Sequence, residues 1–110
     1  MKKLIRDKLA KEFISIDETS IEYLKDEKLI RKYLAKKIIE EADEVAEEIL
    51  SGRLNKKHLM EEMGDLQEVM YTLSYHFDLN PEDIKEIRDE KYENKGGFEE
   101  FTLKVKKVKR

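Results

Sequence analysis

The sequence predicts a small all-α fold: an antiparallel helical hairpin plus a third helix, completed into a bundle by homodimerisation. Apolar residues recur at helical spacing through two long windows, and Pro81, Gly52, Gly96 and Gly97 fall where helices should start or stop. At 110 residues, with no internal repeat or low-complexity linker, the chain supports one domain. Within it we distinguish an N-terminal segment (1–25), a helical core (26–95) and a basic tail (96–110).

Asp26 is placed to cap a helix running to about Ser51, with Gly52 just past its end. Asn55 can cap a second helix, from about Lys56 to Phe77. Asn80-Pro81-Glu82-Asp83 reads as the cap, first-turn proline and first-turn acids of a third, ending near Lys95 before Gly96-Gly97. Earlier in the chain, Leu4, Ile5, Leu9 and Phe13 suggest a short helix, and Ile14 to Tyr23 a loop or short extended piece. Phe101 to Val105 alternates and suggests a strand.

Composition narrows the function classes. There is no cysteine, so disulfides and thiolate metal sites are excluded. No apolar run approaches the roughly 18 residues of a membrane span. The opening Met1-Lys2-Lys3-Leu4-Ile5-Arg6-Asp7 meets charge too early for a signal peptide, so a cytoplasmic protein is expected. Net charge is −3, which does not recommend a nucleic-acid partner. Five of the cations stand in Lys104 to Arg110; the rest of the chain holds 18 basic and 26 acidic residues, a balance of −8. A tail of this kind reads first as a solvated end and second as a contact for polyphosphate or RNA.

On the helical wheel, Ile30, Tyr33, Leu34, Ile38, Val45 and Ile49 form one stripe, and Glu41 falls near its middle. Glu44 and Glu48 lie within it, towards one side, whereas Asp43 and Glu47 point away. In the second helix the stripe is Leu59, Met63, Leu66, Val69, Met70, Leu73 and Phe77. Glu62 sits inside it and Asp65 on its margin, with Glu61 and Glu68 outside. Acids on a packing face protonate unless a base or a metal compensates them. Lys37 is the one cation clearly on the first stripe.

Glu44 precedes Ser51 by seven residues and Glu62 follows Lys56 by six. At about 1.5 Å per residue both lie roughly 9–10 Å from the turn, so Glu41/Glu44 and Glu62/Asp65 meet at one level. Each pair is spaced i, i+3 and presents two carboxylates on one face. Four converging carboxylates suit Mg²⁺ or Mn²⁺. A di-iron bundle would want Glu-x-x-His, but His58 and His76 follow Asn55 and Leu73 at that spacing.

Lys37-Ile38-Ile39-Glu40-Glu41-Ala42-Asp43-Glu44 resembles the Lys-x-x-Glu-Glu-x-x-Glu motif of MazG-like all-α NTP pyrophosphatases, and Glu62-Met63-Gly64-Asp65 their Glu-x-x-Asp. Lys3-Leu4-Ile5-Arg6-Asp7-Lys8-Leu9 and Glu90-Lys91-Tyr92-Glu93-Asn94-Lys95-Gly96-Gly97-Phe98 resemble segments of a small house-cleaning branch, related to phosphoribosyl-ATP pyrophosphohydrolase. Lys95 stands where that branch often has Arg, which keeps the charge and loses the bidentate fork.

The resemblance implies Mg²⁺-dependent cleavage of nucleoside triphosphates between the α and β phosphates, giving a monophosphate and pyrophosphate. Glu41, Glu44, Glu62 and Asp65 are then the metal ligands, and Glu40 or Glu48 the group that orients water or holds a second ion. Lys37, Arg88, Lys91 and Lys95 are candidate phosphate contacts, while Arg6 and Lys8 are placed to cover the site. Two alternatives stay open: phosphoribosyl-ATP hydrolysis, and a non-catalytic nucleotide-binding dimerisation module.

Overall fold

A computed structural model describes residues 2–109, and among these it contains four α-helices and no strand. They are α1 (Asp7–Ile16), α2 (Glu27–Leu50), α3 (Lys56–His76) and α4 (Pro81–Lys95), with a short 3-10 turn at Glu18–Ser20. None of these helices is long and apolar enough to cross a membrane.

The three long helices begin where side-chain oxygens can satisfy free amides. Asp26 accepts from Leu29 N at 3.3 Å, Asn55 from His58 N at 3.1 Å, and Asn80 from Glu82 N at 2.9 Å. Helix α4 stops at Gly96, whose φ of 78° lies in the region that suits glycine. The end of α3 uses no glycine. Asp78 takes the left-handed conformation (φ 56°), Leu79 N donates to Ser74 O at 2.8 Å, and Asp78 N donates to Tyr75 O at 3.3 Å. That is the Schellman pattern, with an aspartate in the position glycine usually fills.

Helices α2 and α3 pack as the antiparallel hairpin. Its buried residues are few: Leu34 and Val69 form the apolar centre, with Glu41 and Ser74 beside them. At the open end His76 Nε2 lies 2.6 Å from Glu27 Oε1, and the Arg31 guanidinium sits 5.2 Å from the Phe77 ring centre. At the closed end the Ser51 hydroxyl donates to Glu48 O, and Asn55 N donates to Glu48 Oε1 at 3.0 Å. Helix α1 contributes the buried Ala10, and Leu4 and Ile5 ahead of it are half-buried.

Several expectations are corrected. Ile49, Met63 and Met70 are 60%, 46% and 53% exposed, so the buried seam is narrower than the wheels suggest. Phe77 is also exposed and flanks the open end rather than filling a core. The third helix forms as expected but buries none of its residues, so it adds nothing to a core within one chain. Phe101 to Val105 is not a strand, because no second strand exists among the described residues to satisfy its backbone groups. The short first helix lies at Asp7–Ile16, and so includes residues expected as loop.

Gly64 lies in the interior of α3, an unfavourable place for glycine. A Cβ built there meets nothing within 4 Å.

Candidate metal centre

The closed end of the hairpin sets the register of the site. Because Glu48 bonds the amide of Asn55, the cap of α3, the two helices leave the turn at a fixed offset. Glu44 and Glu62 then face each other, with Glu41 and Asp65 one turn further along. One ligand oxygen each from Glu41, Glu44, Glu62 and Asp65 lies within 4.8 Å of the other three. Glu41 is 7% exposed and the other three are half-buried. The acids expected to point away, Asp43, Glu47, Glu61 and Glu68, are all exposed.

Two cations touch the quartet. Lys37 Nζ lies 3.3 Å from Glu41 Oε1 and 2.7 Å from Glu40 Oε2, and Arg6 Nη2 lies 2.6 Å from Asp65 Oδ1. Four carboxylates meeting two cations leave two negative charges uncompensated when all are ionised. The hydrogen bonding shows the same deficit. Glu41 Oε2 and Glu62 Oε2 are buried atoms with no hydrogen-bond partner among the described residues. Unpartnered buried carboxylate oxygens are costly, and native proteins leave few of them.

The titration of the site reflects this crowding. Burial pushes the Glu41 carboxyl above the usual range; Lys37 opposes the shift, and the charges of Glu44 and Asp65 reinforce it. Glu44 is also pushed up, first by the Glu62 carboxylate against it and then by burial. Glu40 is pulled down by Lys37, with Lys3 Nζ 3.4 Å away adding to the effect. For Lys37 burial works against the charged form, but hydrogen bonds to Glu40 and Glu41 outweigh it and hold the ammonium above its ordinary value.

Of the other candidates, Glu40 stands beside the quartet between Lys37 and Lys3. Glu48 is engaged in the turn through Asn55 N. Among the described residues no ion pair joins Lys8, Arg88, Lys91 or Lys95 to the carboxylates, and the last three lie on the fully exposed α4. A cleft of about 410 Å³ between Tyr92 and Thr102 includes Lys95, Phe98 and Glu99 in its lining but no quartet member. His58 is exposed and His76 is held by Glu27, so neither joins the centre. Lys3 was not singled out from the sequence; only its long-range contact with Glu40 reveals it.

This donor set can hold a metal ion. It is all oxygen, it lacks about two positive charges, and two of its buried oxygens have no hydrogen-bond partner among the described residues. Comparison with protein-family models, curated proteins and solved structures gives no match for this chain.

Proposed function

We propose that this chain is a Mg²⁺-dependent nucleoside triphosphate pyrophosphohydrolase that cleaves between the α and β phosphates and acts on non-canonical nucleotides. The observation that carries the reading is the quartet itself: four carboxylates within 4.8 Å, two of them with buried oxygens that no group among the described residues satisfies. The order and spacing of the acidic motifs, which resemble those of MazG-like enzymes, supply the reaction class.

Glu41, Glu44, Glu62 and Asp65 would hold the ion, with Mn²⁺ as a substitute. Bound there, a divalent ion supplies charge for phosphate oxygens and lowers the barrier to in-line displacement. The chain's own residues do the rest. Lys37 holds Glu40 in its charged form and opposes the upward shift of Glu41 at the edge of the quartet. Glu40, held as carboxylate by Lys37 and Lys3, is positioned to accept a hydrogen bond from the attacking water. Leu34 and Val69 are the buried apolar residues of the hairpin along from the site.

Homodimerisation is part of this reading. It is supported by the exposure of Ile39, Met63, Met70, Ile84 and Ile87, apolar side chains that the described residues leave in large part uncovered.

The test is a panel of canonical, oxidised and deaminated nucleoside triphosphates, with phosphoribosyl-ATP included, incubated with Mg²⁺ or Mn²⁺ and assayed for pyrophosphate. Release from a non-canonical nucleotide is expected. Nucleotide binding with no release from any member would instead favour a silent sensor on the same scaffold.

A further inference from the structure

Arg6 reaches the quartet from outside the hairpin. Its backbone is anchored: its carbonyl accepts from Ala10 N at 3.0 Å, Ala10 is buried, and Leu4 and Ile5 before it are half-buried. Its side chain is 63% exposed, so a fixed pivot carries a guanidinium open to solvent on one side. The fork offers five donors, and among the described residues its one hydrogen bond is the 2.6 Å contact from Nη2 to Asp65 Oδ1. As the residue before α1 it makes no capping bond either.

The contact also sets up a competition. Asp65 Oδ1 cannot give its full strength to a guanidinium and to a divalent ion together. A cation held by a metal ligand, with four donors to spare at the rim of a polyphosphate site, has a second partner available in the substrate.

We propose that Arg6 is a phosphate-binding residue of this site, whose guanidinium exchanges Asp65 for the phosphates of the nucleotide when a divalent ion takes up that carboxylate. This rests on the quartet being the metal site proposed above. The exchange couples the two ligands: metal binding frees Arg6, and phosphate capture of Arg6 removes the metal's competitor. Each therefore tightens the other.

The test uses the full chain and two binding measurements. In the absence of nucleotide, Arg6→Ala should bind Mn²⁺ about threefold to tenfold more tightly than the wild type, since an exposed ionic competitor is gone. The same variant should bind the magnesium complex of inorganic tripolyphosphate about tenfold more weakly, through loss of charge-assisted hydrogen bonds. Arg6→Lys should recover part of the tripolyphosphate affinity. Lys2→Ala removes a cation of the same segment whose partner, Glu22, lies outside the site. It should shift Mn²⁺ affinity by less than about twofold, as a screened surface charge does.

Should Arg6→Ala loosen α1, as a circular-dichroism melt would reveal, the near-isosteric Arg6→Gln repeats both measurements. Unchanged or weaker Mn²⁺ binding by the Arg6 variants would overturn the exchange. So would unchanged tripolyphosphate affinity, or a gain in Mn²⁺ affinity from Lys2→Ala equal to that from Arg6→Ala. A wild-type chain that binds no Mn²⁺ would remove the metal reading and the exchange together, an outcome distinct from binding that ignores Arg6.

Discussion

At the residue scale, neighbouring glutamates differ sharply in what surrounds them. Glu61 and Glu62 are adjacent in sequence, yet the first is exposed and the second holds a buried oxygen without a partner. Glu41→Gln or Asp65→Asn should lower pyrophosphate release at least about a hundredfold while the fold survives, since the charge that attracts the ion is lost. Glu61→Gln and Asp43→Asn should stay within about twofold, because exposed acids contribute little. Equal damage from both pairs would remove the quartet from the chemistry.

The upward shifts of Glu41 and Glu44 also fix a pH dependence. A carboxyl whose folded pKa lies above its unfolded value is best tolerated while protonated. Its penalty builds as pH rises from the unfolded pKa through the folded one. A bound divalent ion displaces those protons and relieves the penalty. The increase in melting temperature on adding Mg²⁺ should therefore be near zero around pH 4.5 and grow towards neutrality. A Mg²⁺ effect independent of pH over that span would contradict the assignment.

At the element scale, the helix starts were legible, and the end of α3 fell within a residue of the expected Phe77 although no glycine marks it. Asp26, Asn55 and Asn80 announce their helices because a cap acts within two or three residues. The stop of α3 rests on Asp78 in a left-handed conformation, for which aspartate is a weak signal and glycine a strong one. Asp78→Gly should accordingly stabilise the chain by about 1 kcal/mol, measured by denaturant unfolding. The level meeting of Glu41/Glu44 with Glu62/Asp65 was legible from the same local rules, since a short turn and a constant rise fix it. Arg6 was expected over the site only through the family resemblance; its bond to Asp65 and that of Lys3 to Glu40 are contacts across 59 and 37 residues that no local period encodes. The alternation at Phe101 to Val105 misled for a related reason: a strand is defined by its neighbour, and alternation alone supplies none.

At the scale of the whole molecule, the chain is more extended than a compact domain of its length. Its radius of gyration is 18.2 Å and its extents are 57 × 38 × 26 Å. A compact domain of this length would have a radius near 13 Å. The excess comes with a hairpin whose methionine-rich flank faces solvent and an α4 that buries nothing. We expect analytical ultracentrifugation at micromolar concentration to give a mass of two chains or more. Met63→Lys together with Met70→Lys should shift that towards one chain, because burying an unpaired ammonium opposes association by several kcal/mol. A wild-type protein that sediments as a single chain at all concentrations would refute the expectation.

One small feature bears on how the molecule meets its surroundings. Gly64 stands between two quartet members on α3, with open space where a methyl group would go. Nothing inside the chain asks for the missing side chain, so any benefit that repays its conformational looseness must arrive from outside. Gly64→Ala should make the lone chain firmer by about 1 kcal/mol. If the same change weakens self-association or slows turnover, that methyl has blocked a visitor, and whether pairing or catalysis suffers says whether the visitor is a sister chain or a nucleotide.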